Sequence, residues 1–263
     1  MQAHLVQPNT HWEDKDANYR SICRLLDARP PARFDLVVLP EMFDTGFSFN
    51  LGTTADHDGG TLGFLRQQAK SRGVTIHGGR TVLGPDGRGR NRSTVVGPEG
   101  DVLAEYDKIH PFTLGIPGSR ESDSFSPGEA AVAYDWRTPQ ATLRVGCAIC
   151  YDLRFPEVLR AGLALGAEVF VVPANWPVTR VGHWRTLLRA RAIENQAFVL
   201  GVNRTGADPT PLVYPGASTA IDPQGEVLAE AGAEECVVSV EIDPGRVRRW
   251  RAKFPAWREA PQP

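Results

Sequence analysis

Arg144-Val-Gly-Cys-Ala-Ile-Cys150-Tyr-Asp-Leu-Arg-Phe-Pro-Glu157 reads as a strand, a turn and the first turn of a helix. Leu143 to Ile149 is short, apolar and bounded by turn signals, as a buried strand requires. Pro156 falls near the start of a helix expected over Phe155 to Leu165, and Gly166 falls just past its end. Proline early and glycine late is the usual asymmetry of a helix.

The same strand–helix alternation continues outward in both directions. His4 to Gln7, Asp35 to Leu39, Val74 to His77, Thr94 to Val96, Val169 to Val172 and Phe198 to Val202 read as strands. Lys15 to Ala28 places Tyr19, Ile22, Cys23, Leu25 and Leu26 at helical spacing. Thr61 to Arg72 ends at Gly73, a C-cap, and His183 to Asn195 and Pro244 to Lys253 are further helices. Alternation of this kind predicts an α/β fold with helices covering a sheet.

Internal echoes refine that expectation. Gly97-Pro-Glu-Gly-Asp-Val-Leu-Ala-Glu105 matches Asp222-Pro-Gln-Gly-Glu-Val-Leu-Ala-Glu230, each a turn followed by a strand. Asp35-Leu-Val-Val-Leu-Pro40 echoes Glu168-Val-Phe-Val-Val-Pro173, and Arg72 to His77 echoes Gln196 to Gly201. The order is the same in both halves. It predicts two similar sheets packed face to face with helices outside, a four-layer α-β-β-α sandwich with internal pseudo-two-fold symmetry. No Gly-, Ser- or Pro-rich linker divides the chain, so residues 1–263 are expected to form a single domain.

With 41% hydrophobic and 23% charged residues, the 263-residue chain has the composition of a globular protein with a sizeable core. A formal net charge of -2 gives no electrostatic reason to expect nucleic acid or an anionic membrane as partner. No apolar run is long enough to span a bilayer, and the N-terminus has no basic region leading into a long apolar one. Cys23, Cys147, Cys150 and Cys236 are expected as free thiols in a reducing cytoplasm. Cys147 and Cys150 form the only CxxC, and the histidines are scattered, so no structural metal is expected.

Three strand ends carry reactive side chains. Cys150 follows the central strand beside a turn whose backbone N–H groups can point outward, as at the nucleophile elbow of serine hydrolases. A free thiol, with a pKa of about 8.5, is mostly protonated near neutrality and needs a base or cation to act. Phe34-Asp-Leu-Val-Val-Leu-Pro-Glu41 ends a strand in a carboxylate at the mouth of the sheet, a place suited to a general base. Ala104-Glu-Tyr-Asp-Lys108 ends another in an ammonium that could hold a developing oxyanion. Each has a plainer reading: core cysteine, solvated glutamate, surface lysine. The stretch from Ile109 to Ala130, with Pro111, Pro117, Gly118 and Pro127-Gly128, lacks periodicity, and long loops in compact domains are usually functional.

Taken together and in this order, the residues resemble the nitrilase superfamily of carbon–nitrogen hydrolases. The resemblance runs from about Leu5 to about Asp243. It rests on Leu39-Pro40-Glu41, Tyr106-Asp-Lys-Ile-His110, Cys150-Tyr-Asp-Leu-Arg-Phe-Pro-Glu157 and Arg189-Ala-Arg-Ala-Ile-Glu-Asn195. It implies a Glu41–Lys108–Cys150 triad, the α-β-β-α sandwich already suggested by the repeats, and a homodimer or larger homo-oligomer. It implies no cofactor and no metal. Many members carry a second glutamate after the lysine; Glu121 is the best match and Glu129 the alternative. The implied mechanism passes through a thioester, with the oxyanion held by Lys108 and the backbone N–H of Tyr151.

Met42-Phe-Asp-Thr-Gly-Phe-Ser48 and Pro173-Ala-Asn-Trp-Pro177 resemble the ω-amidase branch, which removes ammonia from the ω-amides of 2-oxo acids. Phe43, Phe112, Asn175 and Trp176 are candidates for the substrate pocket. Arg154 is the first candidate for a carboxylate partner, with Arg80 and Arg180 behind it. N-carbamoyl amine or amino-acid hydrolysis and aliphatic amide hydrolysis would use the same triad. A silent scaffold on this fold would be expected to have lost part of it.

Overall fold

The computed structural model describes residues 1–259 apart from 116, 117, 119 and 211. Pro117 of the long loop and residues 260–263 of the expected domain lie outside the described residues.

The first half carries β1 (Gln2–Gln7), α1 (Lys15–Ala28), β2 (Leu36–Val38), α2 (Leu51–Thr54), α3 (Gly60–Arg72), β3 (Thr75–Leu83), β4 (Gly89–Val96), β5 (Val102–Asp107) and α4 (Glu121–Ser124). The second carries β6 (Ala133–Arg137), β7 (Thr142–Cys147), α5 (Pro156–Ala164), β8 (Val169–Ala174), α6 (Val181–Asn195), β9 (Phe198–Asn203), β10 (Thr205–Ala207), β11 (Val213–Pro215), β12 (Thr219–Ile221), β13 (Val227–Glu230), β14 (Cys236–Glu241) and α7 (Pro244–Lys253).

Two six-stranded sheets result, ordered β14-β1-β2-β3-β4-β5 and β6-β7-β8-β9-β12-β13. Each has a parallel centre, β1-β2-β3 or β7-β8-β9, with antiparallel strands on either side. The two sheets therefore repeat one another strand for strand. Even the outer hairpin turns match: Gly100 donates to the carbonyl of Gly97 and Gly225 to that of Asp222, both at 2.9 Å. Both glycines sit at φ 88°, where a side chain would be strained.

Side-chain alternation along β2 explains the layering. Leu36 and Val38 join the core between the sheets, with Val145 and Val171 of the second sheet. Val37 and Leu39 point the other way, onto Ile22 and Leu26 of α1 and Leu65 and Ala69 of α3. On the far side of the second sheet, α5 and α6 bury Val158, Leu159 and Leu188. The four-layer α-β-β-α sandwich is thus the fold.

Strand lengths differ from the sequence expectation where charge interrupts the apolar pattern. β3 runs on to Leu83 and β4 begins at Gly89, because Arg80 is neutralised within the sheet by Asp56 at 2.8 Å and Glu105 at 2.9 Å. β7 ends at Cys147 instead of Ile149, and Cys150 opens a 3₁₀ turn over Cys150–Arg154. The structure also holds β6, β10, β11 and β14, of which β10 and β11 span only three residues each.

Candidate active site

Glu41, Lys108, Cys150 and Asn175 follow the C-terminal ends of β2, β5, β7 and β8, which open at the same end of the sandwich. Pseudo-symmetry explains part of this convergence, since β2 and β8 are equivalent strands and their loops meet. The Asn175 backbone N–H donates to Glu41 Oε2 at 2.9 Å, and Asn175 Nδ2 donates to the Glu41 carbonyl at 2.8 Å.

The Glu41 side chain is fully buried. Its Oε1 accepts from Lys108 Nζ at 2.7 Å and from Asn91 Nδ2 at 2.7 Å. Glu121, in the first turn of α4, is also fully buried. Its Oε2 accepts from Lys108 Nζ at 2.8 Å and its Oε1 from Asn91 Nδ2 at 2.7 Å. Lys108 therefore lies between two carboxylates and retains one N–H for a third acceptor. Burial alone would pull the ammonium down, but Glu121 and Glu41 outweigh it and hold Lys108 well above the usual lysine range. Burial pushes Glu121 up; Lys108 opposes that and Glu41 adds to it. Glu129 lies on the exposed side of the same loop.

Cys150 takes φ 46°, a left-handed conformation that a side-chain-bearing residue rarely adopts and that local structure must enforce. Arg191 of α6 donates from Nε at 3.1 Å and Nη2 at 2.8 Å to the Leu153 carbonyl, fixing the 3₁₀ turn from behind. Asp152 ties the turn to the Lys108 loop: it accepts from Ile149 N–H at 2.9 Å, Tyr106 Oη at 2.7 Å and His110 N–H at 2.9 Å. Burial pushes Asp152 up to about 6 despite these donors. Burial, and then the charge of Glu41, pushes the Cys150 thiol well above its usual range; Lys108 and the Asn175 N–H oppose them. The resting thiol is therefore protonated, and nucleophilic attack needs a base to remove that proton. The Tyr151 N–H lies in the first turn of the 3₁₀ segment, where backbone donors have no partner inside the helix.

Above Cys150 is a small cleft of about 50 Å³. Of the expected pocket residues, Phe112, Arg154, Asn175 and Trp176 line it, as does Arg180. Phe43 does not. It packs against Tyr19 and Phe64 under the α1–α3 layer, because the residue after Met42 turns away from the sheet mouth. Arg80 is likewise no carboxylate partner for a substrate, being occupied by Asp56 and Glu105 inside the first sheet. Sequence reasoning missed Asn91, Phe47 and Tyr214. Asn91 sits between two arginines in a segment too polar to read as strand, and Tyr214 lies on a three-residue strand. Cys147 faces the core, where burial pushes its thiol up to about 12, so it does not pair with Cys150 in redox chemistry.

The first sheet can approach Glu41 only because residue 79 lacks a side chain. A Cβ on Gly79 would stand 2.7 Å from Met42 N, 2.8 Å from Glu41 Cα and 2.9 Å from Pro40 O, all backbone atoms. Gly79→Ala is expected to destabilise the fold by about 1–3 kcal/mol, as overpacking does. By displacing Glu41 it should also lower kcat by about 10²-fold. Thermal melting and kcat of the variant check both, and an unchanged kcat would show that Glu41 tolerates the shift.

A thiol held on a strained turn, next to a carboxylate and an ammonium in a small cleft, defines a hydrolase that works through cysteine on small molecules. The chain belongs to the carbon-nitrogen hydrolase family, whose model matches residues 2–252. It is 36% identical to omega-amidase YafV of Escherichia coli strain K12, over 97% of this chain and 95% of that protein. It is 39% identical to the 2-oxoglutaramate amidase of Bacillus subtilis strain 168, over 80% of this chain and 78% of that enzyme. A solved CN-hydrolase superfamily protein from Xanthomonas campestris, with an arsenic adduct in its active site, superposes with a TM-score of 0.87. That protein is 33% identical, and the match covers 100% of this chain and 97% of that one. The protein is accordingly an enzyme, a hydrolase of carbon–nitrogen bonds other than peptide bonds. Among the described residues no helix is long and apolar enough to cross a membrane.

Proposed function

We propose that the enzyme is an ω-amidase: it hydrolyses the terminal amide of a 2-oxo dicarboxylic acid monoamide, of the 2-oxoglutaramate or 2-oxosuccinamate type, to the carboxylate and ammonia. The observation that carries this reading is the pair of arginines in the cleft wall. Arg154 stacks over Trp176 at 5.0 Å and Arg180 over Phe112 at 5.7 Å. Arg154 Nη2 meets His183 Nδ1 at 3.2 Å, and among the described residues neither arginine forms an ion pair with a carboxylate. Guanidinium groups held at a cleft by aromatic rings, with no acid to neutralise them, suit a substrate that brings its own carboxylate. The omega-amidase and 2-oxoglutaramate amidase relatives support the same substrate class.

In this reading Glu41 takes the proton of Cys150 as the thiolate attacks the amide carbon. The carbonyl oxygen becomes an oxyanion, held by the third N–H of Lys108 and the backbone N–H of Tyr151. Glu41 returns the proton to the nitrogen, the C–N bond breaks and ammonia leaves. A thioester on Cys150 remains. Water, deprotonated by Glu41, attacks it; the C–S bond breaks, and the acid and the thiol are released. Glu121 keeps Lys108 charged and aimed throughout.

The test is ammonia release from 2-oxoglutaramate, 2-oxosuccinamate, glutamine, N-carbamoyl-putrescine, N-carbamoyl-β-alanine and a simple aliphatic amide. The 2-oxo acid amides should turn over fastest. Arg154→Ala and Arg180→Ala should raise KM for them by about 10–100-fold, the worth of a hydrogen bond to a charged group, while sparing the aliphatic amide. Faster turnover of a carbamoyl compound would keep the chemistry and overturn the substrate.

A further inference from the structure

Asn91 occupies an unusual position for a neutral side chain. Its Nδ2 gives one hydrogen to Glu41 Oε1 and the other to Glu121 Oε1, both at 2.7 Å. Its backbone carbonyl accepts from the Lys108 N–H at 2.9 Å. One residue thus touches all three charged members of the cluster. The amide orientation is forced, because Oδ1 in place of Nδ2 would face two carboxylate oxygens. In consequence Asn91 Oδ1 is buried with no partner among the described residues. An orphaned buried acceptor is costly and marks a side chain placed for its donors.

The lone pairs of Glu41 show what those donors do. A carboxylate oxygen has two acceptor sites in its plane. On Oε1 both are filled, by Lys108 Nζ and by Asn91 Nδ2, each at 2.7 Å. Oε2 accepts from the Asn175 N–H at 2.9 Å and from Asn175 Nδ2 at 3.2 Å, both donors coming from the second sheet. We infer that Asn91 is a positioning residue that fills the second acceptor site of Glu41 Oε1 and keeps Glu41 and Glu121 from sharing a proton, so that Glu41 stays free to take the proton from Cys150 and return it to the leaving nitrogen. Without Asn91, Oε1 regains an open site facing Glu121. A proton captured between the two carboxylates is lost to the reaction.

This inference rests on the Glu41–Lys108–Cys150 chemistry proposed above. The titratable groups around the carboxylate pair are Lys108 at the end of β5, Cys150 after β7 and Tyr214 of β11, with Asp152 of the 3₁₀ turn acting on Lys108. Asn91 itself does not line the cleft, so its loss should act on kcat and not on KM.

The experiment measures kcat, KM and the pH dependence of kcat/KM for Asn91→Ala and the isosteric Asn91→Asp, normalised to active sites titrated with a thiol reagent. Removing a donor from ionised carboxylates favours their protonated form, so the acid limb of kcat/KM should move to higher pH in Asn91→Ala. Its kcat should fall by about 10²-fold, comparable to losing one preorganised donor, with KM within about twofold of wild type. Asn91→Asp should be weakest at neutral pH and recover as the pH falls, when the added carboxyl is protonated and donates again. A normal kcat per titrated site with an unmoved acid limb would overturn the inference. If Asn91→Ala does not fold, Asn91→Asp decides alone, and a flat response to acid overturns it. Turnover surviving in Cys150→Ala would instead overturn the underlying chemistry.

Discussion

Cys150→Ala is expected to abolish amide turnover, with a loss of at least about 10⁴-fold, while leaving the protein folded. Residues that act as a unit lose nearly all their effect when one is removed. Here the nucleophile has no substitute: Cys147 is buried in the core with its thiol held protonated. Stability should change little. Alanine at φ 46° is strained as cysteine is, so the backbone cost stays the same, and the deleted atom borders the cleft. The substitution also removes a thiol that burial and Glu41 already hold in its neutral form. A melting temperature within a few degrees of wild type, combined with no ammonia release, meets the expectation. Acid quench of the wild type during turnover should show an acyl adduct by intact mass, and the alanine variant should show none. Residual turnover above about one hundredth of wild type would remove Cys150 from the role of nucleophile.

The architecture was legible because apolar periodicity reports burial, and buried elements dominate this fold. α1 and α7 have the bounds read from the sequence, since each is framed by a clear change in pattern. The repeat of Pro-x-Gly turns exposed the two-fold relation because the same turn needs the same glycine at the same φ. The candidate site was legible in Glu41, Lys108 and Cys150, which follow strand ends, and in Glu121 only through the family resemblance. It was not legible in its neutral ones. Asn91 looks like any polar residue on an exposed strand until two carboxylates close on it from β2 and α4. Phe43 is near Glu41 in sequence but not in the pocket: the chain turns at Met42, φ 44°, and sends the ring into the helix layer. Arg80, a looser candidate, carries no sign in sequence of its acids, which come from residues 56 and 105. Periodicity tells which face a residue takes, and says nothing of which distant groups meet on it.

Lys108→Met should lose both activity and stability, and the stability loss should depend on pH in a direction that identifies its cause. In the wild type the ammonium sits between Glu41 at 2.7 Å and Glu121 at 2.8 Å, all three side chains buried. Because its folded pKa is raised above the unfolded value of about 10.4, Lys108 contributes stability throughout the neutral range and loses it only as the pH rises through alkaline values. Methionine keeps the stem and removes the charge. The two carboxylates are then buried without a counter-ion, a loss of about 3–5 kcal/mol when both are ionised. Protonation relieves it. Carboxyls that bind protons more tightly folded than unfolded favour the folded state at low pH, and that advantage disappears as the pH rises from about 4. The deficit of Lys108→Met should therefore be small near pH 5 and large near pH 8. Urea unfolding at the two values measures it, and an equal deficit at both would mean that lost packing, not unpaired charge, is responsible. Adding Glu121→Gln should recover much of the stability at pH 8, since it removes one of the stranded charges. It should recover no activity, because no ammonium remains to meet the oxyanion. Stability returning without turnover would separate the lysine's place between two carboxylates in the resting enzyme from the oxyanion role proposed for it.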